Sequence, residues 1–372
     1  MITQAKLEQK TAKNPTFIYT KFAFLCRLVC YNKNMKNIKI TWIFCIVGLF
    51  LAALIMQGCT SGRAEAQQIE PNKPGTASFD NTAGAKTTPV VYMTTDISSA
   101  GIMAVYNALG LEANGKVAVK LHTGEPGNPH YLKPVLIKEL VQKVKGTIVE
   151  NNTVPGSKRA NAAAHYQVAK DHGFTAIAPV VILDEKGDIS FPVIGGKHLK
   201  ENFVGARIKE FDFQIVLSHF KGHPSGGFGG AVKNMSIGFA SADGKSWIHS
   251  GGTSKGTGWR SNDRNAFLES MAEAAKTIAD AYKGRILYIN VMNHLSVDCD
   301  CLSRPAAPTM ADIGILASLD PVALDQACVD LVYAAPDSKD LIQRIESRNG
   351  HLTLEHAEKI GLGSKSYKLQ KL

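Results

Sequence analysis

Two signatures that would settle a chemistry at once are missing from this sequence. It has no Gly-x4-Gly-Lys-[Ser/Thr] phosphate loop and no His-Glu-x2-His pair, which removes the P-loop and zinc-peptidase readings. The four-cysteine run of a ferredoxin-type cluster is absent, and Gly226 to Gly230 (G-G-F-G-G) lacks the spacing of a dinucleotide fingerprint. Cysteine is scarce, and beyond Cys59 only Cys299, Cys301 and Cys328 remain. A polybasic face is also missing. The formal charge of +10 comes mostly from residues 1–58, and residues 59–372 carry 34 Lys/Arg against 31 Asp/Glu. No nucleic-acid partner is expected from that balance.

What the N-terminus has instead is a targeting pattern. Met35 to Lys39 is basic, Ile40 to Met56 is an apolar run, and Gly58-Cys59 follows. The run is short for a membrane span and suits an export signal. The pattern resembles the lipobox of bacterial lipoproteins, with Met56 where leucine is usual, and that resemblance implies lipidation of Cys59. The expected organisation is an upstream extension over 1–34, a signal over 35–58, a flexible tether over 59–88 and a folded domain over 89–372. The expected location is the exported side of the cell envelope, held to a membrane through the lipid.

From Pro89 onward, strand-like runs alternate with amphipathic stretches. Val90 to Thr94, Lys116 to Leu121, Thr147 to Glu150, Phe213 to Ser218, Arg285 to Met292 and Ile313 to Ala317 are short and rich in β-branched residues. Helical patterns lie between them, such as Lys133 to Lys145 and Asn262 to Tyr282, and Asp320-Pro321 is a helix-start signal. Such alternation predicts an α/β fold with a mainly parallel sheet flanked by helices. Ile177 to Ile194 reads differently, as two strands around Glu-Lys-Gly-Asp, and predicts a β-hairpin insertion.

Polar groups collect where strands end, which is where ligands bind in parallel sheets. His122, Glu125 and Asn151 come after two strand candidates and form a second tier. The densest stretch follows Phe213 to Leu217: His219, His223, four glycines (Gly226, Gly227, Gly229, Gly230), then Lys233 and Asn234. Backbone N–H groups of a glycine-dense loop can approach an anionic ligand or cofactor closely. Lys233 and His223 are the candidate catalytic pair, with the four glycines and Asn234 as cofactor contacts. A carboxylate or phosphate is the expected ligand class.

A second constellation, Asn293 to Asp312, contains His294 and Asp298-Cys-Asp-Cys301. Cys299 and Cys301 could ligate a metal, with His219, His223 or His294 completing the shell and the flanking aspartates supporting it. Iron–sulfur, iron, nickel and zinc all remain open. A disulfide or inert thiols are the alternatives, including a bridge from Cys301 to Cys328. Cys328 is expected to be buried in the helix after Pro321. Asp320 is expected to cap that helix, with Asp325 a turn beyond, either on the same edge or at the surface.

His219-Phe-Lys-Gly-His223, Gly226 to Asn234, Asp298 to Cys301 and Asp312 to Asp325, in that order, resemble the DUF362 family over roughly Val90 to Gly361. The resemblance implies an iron–sulfur or other metal association, here without the ferredoxin segment that many relatives carry. A shorter stretch, His223 to Lys233, is similar to His-x3-Gly-[Phe/Tyr]-x-Gly-Gly-x-Lys of lactate-racemase-like proteins. That likeness implies cofactor or substrate contacts at His223 and Lys233, in a family that uses a nickel-bearing nucleotide. Four functions remain open: a redox or metal-dependent enzyme on a small anion, a non-catalytic solute-binding lipoprotein, a structural protein in which Cys299 and Cys301 pair with thiols for stability, and a cofactor-using enzyme of the racemase type.

Overall fold

Eight strands form the central sheet of the computed structural model, which describes residues 87–153, 155–256 and 263–372. The export signal, Cys59 and residues 60–86 of the tether lie outside the described residues. In chain order the sheet strands are β1 (Val90–Thr94), β2 (Val117–Lys120), β3 (Thr147–Glu150), β4 (Val180–Ile182), β7 (Phe213–His219), β10 (Ile286–Met292), β11 (Gly314–Ser318) and β12 (Lys368–Lys371). Across the sheet they run β12-β1-β11-β10-β7-β2-β3-β4. The pairings from β10 through β4 are all parallel, and β11 is antiparallel to both of its neighbours. The fold is therefore α/β with a largely parallel sheet, as expected.

Alternation along the strands feeds two cores. Val117, Val119 and Leu121 pack on one face with Ile215 and Leu217, beneath helices α1 (Ser99–Ala108) and α2 (Pro134–Lys143). Ala118 and Val216 pack on the other face, beneath α4 (Ala231–Phe239), α6 (Arg264–Ala281) and α7 (Pro321–Ala334). Because both faces are covered, the strands read as continuous apolar runs. Helix starts follow the capping residues: Ser98 accepts from Gly101 N, Asn161 from Ala164 N at the start of α3 (Ala162–Asp171), and Asp320 from Val322 N and Ala323 N.

The hairpin forms with a different partner. Its turn is at Leu183 to Lys186, yet Val180–Ile182 pairs with β3 at the sheet edge. The following strand β5 (Asp188–Pro192) pairs antiparallel with β6 (Glu201–Gly205). A turn fixes chain reversal but not which strands exchange hydrogen bonds, and the open edge of β3 captures the first strand. The glycine-dense loop ends at Gly230: Lys233 and Asn234, read from the sequence as part of it, lie in α4, and α5 (Ala242–His249) follows.

Candidate functional site

Since β10, β7, β2 and β3 run the same way, their carboxyl ends share one edge. A cavity of about 290 Å³ opens there. One wall is the ladder of β8 (Lys221–His223) against β9 (Gly227–Gly229). The other wall comes from the loop carrying Cys299 to Cys301, and both sulfur residues line the cavity with His219, His223 and Lys233.

The joint between these walls has a specific cause. Gly222 N donates to Ser296 O at 2.8 Å, and a Cβ on Gly222 would stand 2.4 Å from Val297 O. Only a residue without a side chain lets the backbones close to that distance. Asp300, between the two cysteines, then accepts from His219 Nδ1 and Lys221 Nζ, each at 2.8 Å. His219 Nε2 meets Asn293 O at 2.7 Å. Both ring nitrogens of His219 are thus engaged by oxygen atoms of the thiol-bearing loop and the strand end before it. Burial alone would raise the Asp300 carboxyl, but His219 and Lys221 hold it well below the usual range.

These contacts redefine several expected roles. His219 has no free nitrogen for a metal. His294 is exposed in a left-handed conformation (φ 48°), beside His130, and does not line the cavity. Asp298 accepts from Arg344 Nη1 at 3.1 Å and Ala306 N at 3.0 Å, so neither flanking aspartate completes a metal shell. Cys299 and Cys301 are joined as a disulfide, whereas Cys328 is a buried free thiol near Asn290. The Cys301–Cys328 bridge is therefore not formed. A disulfide across two positions removes little loop entropy from the unfolded chain, roughly half of what a 15-residue loop loses.

The glycine segment divides. Gly229 and Gly230 line the cavity, but Gly226 N donates to His223 Nδ1 at 2.9 Å, and Gly227 packs against Ile345 and Gly350. Asn234 lines the cavity, while its Nδ2 reaches Lys120 O, Leu217 O and Ser218 Oγ and ties α4 to the strand ends. Asp325 is fully buried rather than at the surface. It accepts from Ala231 N, Val232 N and Asn290 Nδ2 and so caps the helix that carries Lys233; burial pushes its carboxyl up to about 6.

His223 Nδ1 accepts from Ser225 N (3.2 Å) and Gly226 N (2.9 Å), which leaves the ring proton on Nε2. Burial, then Lys233, depress its pKa well below the ordinary histidine value, so the ring is a neutral donor. His122, half-buried, is also held well below the ordinary histidine value, by its removal from water and then by Arg159, whose Nη2 lies 3.0 Å from its Nε2.

The charges of the cavity are unbalanced. Among the described residues five cations line it: Lys120, Arg159, Lys221, Lys233 and Lys245. Three carboxylates face them, Glu125, Glu150 and Asp300. Lys120 pairs with Glu150 at 2.9 Å, Arg159 with Glu125 at 2.8 Å and Lys221 with Asp300 at 2.8 Å. Among the described residues, neither Lys233 nor Lys245 forms an ion pair; Lys245 Nζ donates to Ala240 O at 2.6 Å. Burial lowers Lys233 to about 8 and Lys245 to about 7. The sequence reading passed over Lys120, Glu150, Arg159 and Lys245. A signal existed for the first two, a charge at the end of an otherwise apolar strand.

A model of the family described as "domain of unknown function (DUF362)" matches residues 117–330. That span contains both walls of the cavity and more than half of the chain. The chain belongs to the DUF362 family. No curated protein matches it. Among solved structures, the lactate racemase apoprotein from Thermoanaerobacterium thermosaccharolyticum is 17% identical, over 54% of this chain and 50% of that one, with a TM-score of 0.33. A protein of Thermotoga maritima is 12% identical over 70% and 58%, with a TM-score of 0.35. The chain thus spans about half the length of the first and under two thirds of the second.

A metal can be tested against the residues of this DUF362 chain. His223, Cys299 and Cys301 have ligand atoms within 4.8 Å of one another, a group that could hold one ion. A four-thiolate cluster does not fit, because among the described residues the third cysteine, Cys328, is buried behind Asn290 and no fourth exists. A histidine ligand normally donates its second N–H to an acceptor. His223 has the reverse arrangement, with backbone donors at Nδ1.

Proposed function

We propose that this DUF362 domain binds a small organic anion, a carboxylate or phosphate, and moves a proton at it. The observation that carries this reading is the pair of lysines, Lys233 and Lys245, in one cavity, neither of which forms an ion pair among the described residues. The ligand's anionic group supplies the missing charge, and His223 Nε2–H adds a neutral donor. Both lysines are depressed towards neutral pH, which suits reversible proton transfer.

Calorimetry with inorganic phosphate and a panel of small carboxylates tests the reading. Lys233→Met and Lys245→Met should each weaken binding roughly 10- to 100-fold, the weight of one charge-assisted contact. Affinity should fall as pH rises through about 7 to 8, where the lysines lose their protons. Stability of the free protein should move the opposite way. The unfolded lysines titrate near 10.5, so above the folded values the unfolded state binds more protons, and stability rises with pH up to that point. An affinity indifferent to both substitutions would remove the proposal.

A metal ion at His223, Cys299 and Cys301 is a second reading, supported by their spacing. The disulfide must open and His223 must give up its Nε2 proton before binding, so protein purified under reducing, anaerobic conditions is the material for elemental analysis. The lipid anchor expected at Cys59 would hold the cavity near a membrane on the exported side. Cys59→Ser should then shift the protein from the membrane fraction to the soluble fraction.

A further inference from the structure

We propose that Cys299 and Cys301 are a reversible dithiol–disulfide pair that exchanges with small thiols entering the cavity. This does not depend on the anion reading. Both residues line the cavity, with Cys299 8% exposed and Cys301 more open, so Cys301 is the sulfur an incoming thiol can reach. The loop does not need the S–S bond for its place. Asp300 is fastened by His219 and Lys221, Arg344 holds Val297 and Asp298, and Gly222 closes on the same segment. A bond across two positions adds little as a staple, so opening and closing it leaves the fold intact.

The surroundings favour the departing group. Cys301 N donates to Cys299 Sγ at 3.4 Å, and His223 lies within 4.8 Å of both sulfurs. Lys233, which has no ion pair among the described residues, lines the same cavity, and a positive charge there favours negative charge on sulfur. In the first step a small thiolate attacks Cys301 Sγ. A new S–S bond forms, the Cys299–Cys301 bond breaks, and its electron pair leaves on Cys299 Sγ. A second thiolate attacks the outer sulfur of the mixed disulfide and expels Cys301 as thiolate. Two protons complete the dithiol. Two electrons pass from two small thiols, which depart as their disulfide, and the reverse sequence reoxidises the pair.

Thiol alkylation of the native full-length protein, read by mass spectrometry, tests this. Dithiothreitol should expose two further alkylation sites, both mapping to Cys299 and Cys301, and oxidised glutathione should remove both. Cys328, buried, should stay unmodified throughout. Reduction should lower the melting temperature by no more than about 4 °C. In Cys299→Ser, Cys301 should form a single glutathione adduct; in Cys301→Ser, the buried Cys299 should react at least tenfold more slowly. Resistance of the pair to reduction until denaturant is added, or unfolding on reduction, would overturn the proposal, as would equal reactivity of the two single variants.

Discussion

Gly222→Ala should separate the two walls of the cavity. The added methyl would lie 2.4 Å from Val297 O, with Val297 Cα and C at 2.6 Å, so backbone rather than a flexible side chain must move. Overpacking of this kind costs about 3 kcal/mol. The hydrogen bond from residue 222 N to Ser296 O would lengthen, and Asp300 would move away from Lys221 and His219. Urea denaturation should register the destabilisation. Anion affinity should fall at least tenfold, since a displacement worth 1.4 kcal/mol suffices for that factor. An alanine variant with unchanged stability and binding would mean that the two loops do not need to touch.

Glu150→Ala should be as damaging, by a different route. Glu150 is 3% exposed and accepts from Lys120 Nζ at 2.9 Å, Thr123 N at 2.9 Å and Arg159 Nη1 at 3.4 Å. Burial alone would raise its carboxyl, yet Lys120 and the neighbouring histidines hold it well below the usual range. Removing one member of such a buried pair leaves charge without compensation and costs roughly 3–5 kcal/mol. The sign in pH follows from the lowered folded value. The stabilisation is complete above the ordinary glutamate range and fades as acid takes the pH below it. In the variant, the denaturation midpoint should therefore differ most from the parent near neutrality and converge with it in acid. Adding Lys120→Met to Glu150→Ala should recover part of the loss, because the stranded ammonium is then gone. A double variant no better than the single one would show that Lys120 is not the group left uncompensated.

Much of the architecture was legible because local chemistry and fold agree. A run such as K-V-A-V-K-L (Lys116 to Leu121) has apolar residues on both faces, which only a strand covered on both sides can use. Asp320-Pro321 starts a helix by its own side-chain and ring geometry, and it does so here. The hairpin was legible as a turn but not as a pairing. Asp188–Pro192 takes Glu201–Gly205 as its partner although β4, at the end of the sheet, keeps one edge free, and no local pattern marks that choice. The reversal of β11 between β1 and β10 has no local marker either.

The same division runs through the cavity. Residue types and order along the chain determined that imidazoles, an ammonium and a pair of thiols follow strand ends, and so share one edge of a parallel sheet. Only the tertiary structure decided what each group does there. Three cations meet three carboxylates and Lys233 and Lys245 do not, Asp300 anchors the thiol loop, and Asp325 caps the helix of Lys233 from the interior. Those outcomes depend on distances of about 3 Å between residues as many as 94 positions apart in the chain, and sequence order carries no such distances.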